Sequence, residues 1–196
     1  MMARRSARLP DLLQRHGLSA AAMAGGISLS LYLLPLPQGA FAALLAALAI
    51  FIAVIDLEHR IIPDAANALM FAAGLILVAL EAFPGQLLWD LADALLRSVV
   101  AGGMLLALRY YYGRRSGIEG LGLGDAKLAA AGAPFLAWPV LPVALLIAAF
   151  GGLLAVGAQA LAKGKRPSRR DSLPFGAFLA PAIWVAYLIA QTGVAY

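Results

Sequence analysis

The sequence predicts an all-α membrane protein, a polytopic helical bundle with about seven transmembrane helices. Three observations predict it. Of 196 residues, 63% are hydrophobic and 13% charged, and mean hydropathy is +0.87; a soluble domain is nearer half apolar and about a quarter charged. Charge-free runs reach the length of one or two bilayer crossings. Basic residues gather on one side once the chain is threaded through those crossings. Cysteine is absent, which removes disulfides, thiol nucleophiles, Fe–S ligands and Cys-based zinc sites.

A helix needs roughly 20 apolar residues to cross a hydrocarbon core about 30 Å thick. Residues 17–55 carry no charge, enough for two crossings, and Pro35, Pro37, Gln38 and Gly39 between them read as a tight hairpin. Residues 65–80 form the core of a third helix and 98–108 that of a fourth. Residues 128–162 hold two more crossings, broken near Trp138-Pro139 and Pro142, and 172–196 hold the last. The expected helices are 17–35, 38–58, 62–83, 93–112, 124–138, 140–162 and 174–193, the fifth being the shortest. Gly25-Gly26, Gly102-Gly103 and Gly151-Gly152 fall inside helices, where small residues let helices pack closely.

The N-terminus has a basic start, an apolar stretch and an A-x-A-like Ala40-Phe41-Ala42, as a signal peptide would. The apolar stretch is too long for one and runs almost directly into the next, so a retained first helix is expected. Residues 1–16 then form a basic flank, 17–37 an additional N-terminal transmembrane helix, and 38–196 the main membrane domain.

With the N-terminus in the cytoplasm, 14 of the 15 basic residues fall on the cytoplasmic side, and only Arg97 lies on the other. That is the positive-inside pattern. The net charge of +5 therefore reads as topology in contact with membrane lipid, and nucleic acid is not an expected partner. Gln86 to Asp93 looks like an amphipathic turn lying on the outer surface.

Of ten acidic residues, Asp11, Asp171, Glu81, Asp90 and Asp93 are peripheral. The others form two clusters at the cytoplasmic edge. The first runs Ile55-Asp56-Leu57-Glu58-His59-Arg60-Ile61-Ile62-Pro63-Asp64. Asp56 ends an apolar helix, where a carboxylate is costly unless it faces a wet cavity or a partner. Pro63 suits the first turn of the next helix, with Asp64 beside its positive end; a structural role is the better reading of Asp64. The second cluster runs Glu119-Gly120-Leu121-Gly122-Leu123-Gly124-Asp125-Ala126-Lys127-Leu128, with Asp125 at a helix N-terminus. Taken alone, it is equally a Gly-rich loop with an Asp cap. It lacks the strand and the Gly-Lys-Ser/Thr ending of a phosphate loop.

Two aspartates on different helices at one membrane face suggest a pair sharing a proton, because like charges a few Å apart do not both ionise readily. The ionised partner can take a proton from water while the protonated one donates to a peptide carbonyl. Such chemistry calls for no metal and no cofactor.

At these residues the sequence resembles the type IV prepilin leader peptidases, a family of GxGD-type intramembrane aspartic proteases. Ile55-Asp56 with Ile62-Pro63-Asp64 is similar to the family's first-aspartate motif. Glu119 to Leu128 resembles its E-G-x-G-x-G-D-x-K-L signature. Leu173-Pro174-Phe175-Gly176-Ala177-Phe178-Leu179-Ala180 resembles its P-F-G-P-F-L-A segment, with Ala177 in place of a usual proline. The resemblance covers roughly residues 38–193. It implies a six-helix protease core behind the additional first helix, with Asp56 and Asp125 as the catalytic pair and Gly122, Gly124, Lys127, Pro63 and Asp64 as motif-supporting residues. It also implies a prepilin or pseudopilin substrate, of a type IV pilus or type II secretion system, whose basic leader is cut at the cytoplasmic face of the bacterial inner membrane. Glu58 and Glu119 are candidates to receive the leader's Lys or Arg. Lys127 could tune the aspartate pair or simply snorkel to the interface. Pro174 to Phe178 could stand beside the cavity or merely start the last helix. Many bacterial members also carry a domain with paired C-x-x-C motifs and N-methylate the product; without cysteine, this chain is expected to be a short-form peptidase.

Other readings predict different residues. Signal peptide peptidase and presenilin place the first aspartate after Tyr, whereas Asp56 follows Ile55. A transporter, or an assembly factor with conducting carboxylates, would want them near the bilayer midplane.

Overall fold

The computed structural model describes residues 9–116, 121–163 and 174–193, the side chains of 9–16, 116 and 163 excepted. Seven α-helices follow one another in these segments: α1 Leu9–Leu33, α2 Gln38–His59, α3 Asp64–Glu81, α4 Leu87–Ser116, α5 Leu123–Gly132, α6 Val140–Lys163 and α7 Gly176–Gln191. A 3₁₀ turn, Ala133–Phe135, continues α5, and no strand occurs among the described residues. Among them, α2, α3, α4 and α6 are long and apolar enough to cross a membrane; the apolar part of α1, Gly17–Leu33, and α7 are shorter.

α1 and α2 form the expected hairpin. Gly26 makes room for the crossing, since a Cβ there would lie 3.2 Å from the Ala46 Cβ. Ser30 donates to the Gly26 carbonyl at 2.8 Å and accepts from the Trp184 indole N–H at 3.1 Å, which ties α1 to α7. α1 starts at Leu9, so its backbone runs back into the expected flank; Pro10 suits a first helical turn. α2 is capped by Arg60, whose left-handed backbone (φ 57°) returns its N–H to the Asp56 carbonyl at 2.9 Å. That terminus fixes Asp56 in the last turn of α2. Pro63 is the N-cap of α3 rather than inside its first turn, and Asp64 is the first helical residue.

α4 departs from expectation at its start. Gln86 to Asp93 is not a separate surface turn: the helix begins at Leu87 and runs 30 residues, about 45 Å. Nothing between Leu87 and Ser116 breaks it, and Asp90 in its first turn suits the positive end. The amphipathic character survives as exposed Leu88 and Trp89.

The expected helix 124–138 is also corrected. α5 has only 10 residues, about 15 Å or half a hydrocarbon core. Pro134 supplies no N–H to continue it. The segment nevertheless runs antiparallel to α4 for its whole length. At one end Arg109 donates to the Leu121 carbonyl at 2.7 Å; at the other Arg97 donates to the Leu136 carbonyl, and the Trp138 indole donates to Asp93 at 2.8 Å.

The bundle has two groups. α7 packs against α1's partner α2 and against α6; α5 packs against α3 and α4; α5 and α7 join them. At that seam Gly132 faces Ile183, and a Cβ there would come within 2.6 Å of the Ile183 Cδ1. Tyr187 fills the centre, edge-to-face with Phe135 at 5.7 Å. Much of the remaining core is alanine, as close helix packing in a bilayer favours.

Candidate active site

The C-terminus of α2, the N-terminus of α5 and the N-terminus of α7 meet at one end of the bundle. A cavity of about 330 Å³ lies there, lined by Asp56, Arg60, Ile62, Gly122, Asp125 and Lys127 among others. Asp56 is 5% and Asp125 6% exposed. Both carboxylates are therefore buried in the protein yet border a space with room for several waters, the condition under which an acidic residue in a membrane helix is tolerated.

Backbone amides hold them. Asp56 Oδ2 accepts from the Ala177 N–H at 2.8 Å, a bond between residues 121 positions apart. Asp125 Oδ2 accepts from the Gly122 N–H at 2.9 Å, the reach-back that an acidic residue makes in the first turn of a helix. The Gly176 N–H is also directed at Asp125. Successive amides at the positive end of α7 thus serve both aspartates, and that end favours negative charge. Arg60 stands electrostatically near Asp56, and Arg109 near Asp125.

Close approach explains two glycines. A Cβ at Gly176 would meet Ile62 Cδ1 at 2.5 Å and Asp56 Oδ2 at 3.0 Å; one at Gly124 would meet Ile62 at 3.3 Å. Ile62 is wedged between α5 and α7, so both helices can approach Asp56 only with no side chain at these positions.

Lys127 is paired with Asp64, Nζ to Oδ1 at 2.7 Å, at the exposed rim; the aspartate pair is not its partner. Asp64 also sits in the first turn of α3. Glu58 is exposed, 4.0 Å from His59, and is not on the cavity wall. Glu119, Gly120, the N-terminal residues 1–8 and the basic loop 164–173 lie outside the described residues. Among the described residues, no three His, Asp or Glu side chains converge as a metal site would require. The role left open for Pro174 to Phe178 in the sequence is now a contact: the start of α7 touches Asp56. Only the quoted motif signalled it.

The model of the type IV leader peptidase family matches residues 43–157, more than half of the chain and inclusive of both aspartates. The chain belongs to the type IV leader peptidase family. Among curated relatives, the Prepilin leader peptidase/N-methyltransferase of Aeromonas hydrophila is 31% identical over 152 residues, 76% of this chain and 50% of that protein. The protein of the same name from Burkholderia pseudomallei (strain K96243) is 34% identical over 146 residues, 74% and 45% respectively. The leader peptidase HopD of Escherichia coli is 33% identical over 145 residues, 74% of this chain and 90% of HopD. The chain spans about half the length of the first two relatives and most of HopD's. No solved structure gave a significant match. As a type IV leader peptidase family member, it keeps both halves of the aspartate cavity inside the matched region, while the α7 amides come from beyond it.

Proposed function

We propose that this protein is a membrane aspartic endopeptidase that removes the leader from type IV prepilins or pseudopilins at the cytoplasmic face of the bacterial inner membrane, with Asp56 and Asp125 as the catalytic pair. The observation that carries the reading is the cavity at which two buried carboxylates from separate helices meet, each held by a backbone amide. The names of the relatives, leader peptidases including HopD, support the substrate class.

In this reading, the ionised aspartate takes a proton from water as the water oxygen attacks the scissile carbonyl carbon. The protonated aspartate donates to the carbonyl oxygen. The tetrahedral gem-diol then collapses: one of its hydroxyls returns a proton to the pair as C=O reforms, the C–N bond breaks, and the departing amine takes up a proton from the pair. The pair returns to one shared proton, so no other group is consumed. The amides of α7 fix the carboxyl orientation in advance, which is how a preorganised site lowers a barrier. The packing of α1 on α2 and the Trp184–Ser30 hydrogen bond to α7 support an additional helix at 17–37 carried on the membrane domain 38–196. Glu58, exposed two residues past Asp56, and Glu119 offer negative charge to a basic leader.

The test is co-expression with a pilin-like precursor and N-terminal sequencing of the product. Removal of the leader, with the new N-terminus immediately before the apolar helix, is expected; an unprocessed precursor refutes the assignment. The same product's mass reports whether a methyl group has been added, which this reading does not require.

A further inference from the structure

A second and larger cavity lies beside the first, about 1000 Å³, along the face where α3, α4 and α5 meet. We infer that it is the groove that seats the apolar helix of the substrate while the adjoining peptide bond lies between Asp56 and Asp125. The inference rests on the peptidase reading above and names where that substrate's membrane segment binds.

Four observations carry it. The groove is continuous with the aspartate cavity, because Asp64, Leu123 and Lys127 line both. Its walls are apolar, with Phe71 from α3 and Leu95, Val99 and Leu106 from α4. Leu95 and Leu106 are 11 residues apart, so the groove follows α4 for about 16 Å, roughly three helical turns. α3 and α4 are both apolar enough to cross a membrane, and an occupant at that depth must satisfy its own backbone, which a helix does and an extended chain does not.

Space and polarity agree. A Cβ added at Gly103 would meet nothing within 4 Å. That glycine therefore opens onto unfilled groove, unlike Gly102, whose Cβ would lie 3.0 Å from the Ala130 Cβ. Asn67, one turn into α3 from the Lys127–Asp64 pair, lines the groove and is 6% exposed. Neither its side-chain oxygen nor its nitrogen has a hydrogen-bond partner among the described residues. Ser98 on the opposite wall is satisfied within α4, donating to the Ala94 carbonyl at 3.0 Å. A buried amide left unpaired is costly; both polar atoms of Asn67 are covered, so pairing with the free backbone N–H groups of an incoming helix's first turn requires the side chain to turn toward the groove, which relief of the unpaired amide favours. Asn67 lies at the end of the groove nearest the aspartates, where that first turn would sit. An acyl chain could fill the apolar walls but would leave Asn67 unpaired.

The experiment places a photoreactive phenylalanine analogue in place of Leu106, on the groove wall, in the full chain carrying Asp125→Asn, in proteoliposomes. Two peptides share one basic leader and cleavage site; in one an apolar helix follows, in the other a polar sequence. Crosslinking to the apolar-helix peptide and not to the polar one is expected. Crosslinking to lipid alone, or to neither, while the otherwise unsubstituted chain cleaves the apolar-helix peptide, overturns the groove. Failure of that chain to cleave either peptide overturns the peptidase reading instead. As an activity readout, Gly103→Phe should lower kcat/KM for the apolar-helix peptide by about tenfold or more through misplacement of the scissile bond. Leu154→Phe, on exposed α6 surface, should not. Equal rates for the two variants would contradict the inference.

Discussion

Gly176→Ala tests how α7 holds the aspartate pair. The new Cβ would lie 2.5 Å from Ile62 Cδ1 and 3.0 Å from Asp56 Oδ2, whereas carbon atoms rest about 3.5–4.0 Å apart. Ile62 would have to retreat by about 1 Å or more. It is already in contact range of α5, since a Cβ at Gly124 would touch it at 3.3 Å. The N-terminus of α7 is then pushed off Asp56, and the 2.8 Å bond from Ala177 lengthens or breaks. A hydrogen bond to a charged group contributes about 1.5–3 kcal/mol. Felt fully in the transition state, that loss slows cleavage roughly 10- to 150-fold, at about 1.4 kcal/mol per tenfold. The assay is kcat/KM on an apolar-helix precursor peptide in proteoliposomes, with thermal unfolding run in parallel. Ile62→Val removes the nearest atom, so the double variant Ile62→Val/Gly176→Ala should recover most of the rate. Wild-type cleavage by Gly176→Ala, or no recovery in the double variant, would refute the positioning role of α7.

Three further outcomes are expected. Gly132→Ala drives a methyl into Ile183, with contacts of 2.6 and 2.9 Å, and should cost about 1–3 kcal/mol of stability as overpacking does; an unchanged melting temperature in detergent would contradict the seam between α5 and α7. Lys127→Ala should change stability by less than about 1 kcal/mol, because the Lys127–Asp64 pair is solvent-exposed; a larger loss would mean that the pair supports the bundle. The chain has no cysteine, so Arg115→Cys and Gln86→Cys, at opposite ends of α4, report topology directly. An impermeant thiol reagent should label the first from the cytoplasmic side and the second from the other, and the reverse pattern would invert the proposed orientation.

Much of the architecture was legible because membrane helices announce themselves by length and charge. Residues 17–55 gave a hairpin, and α2, α3 and α6 closely follow the expected spans. The errors arose where local chemistry and tertiary packing compete. Asp90 and Asp93 made the start of α4 look like a surface turn, but both are compatible with its first turns, one at the positive helix end and the other paired with Arg97 at 3.0 Å. The fifth helix was legible as a separate segment but not as one of only 10 residues, because Pro134 halts α5 where Gly132 packs on Ile183. At the site, Asp56 and Asp125 stood out because carboxylates are rare in apolar helices. The α7 amides were invisible as donors, since only folding brings Ala177 beside Asp56. Asn67 carried no signal at all; its significance is that it is buried without a hydrogen-bond partner among the described residues.

The most direct test of the central claim compares Asp56→Asn and Asp125→Asn with the unsubstituted chain, each shown to be inserted in the membrane, on one leader-bearing precursor. Each variant is expected to lose cleavage by at least the roughly 10²–10⁴-fold that a general acid or base supplies, with insertion and melting temperature preserved. Cleavage at the original rate by either correctly inserted variant would contradict the two-aspartate account.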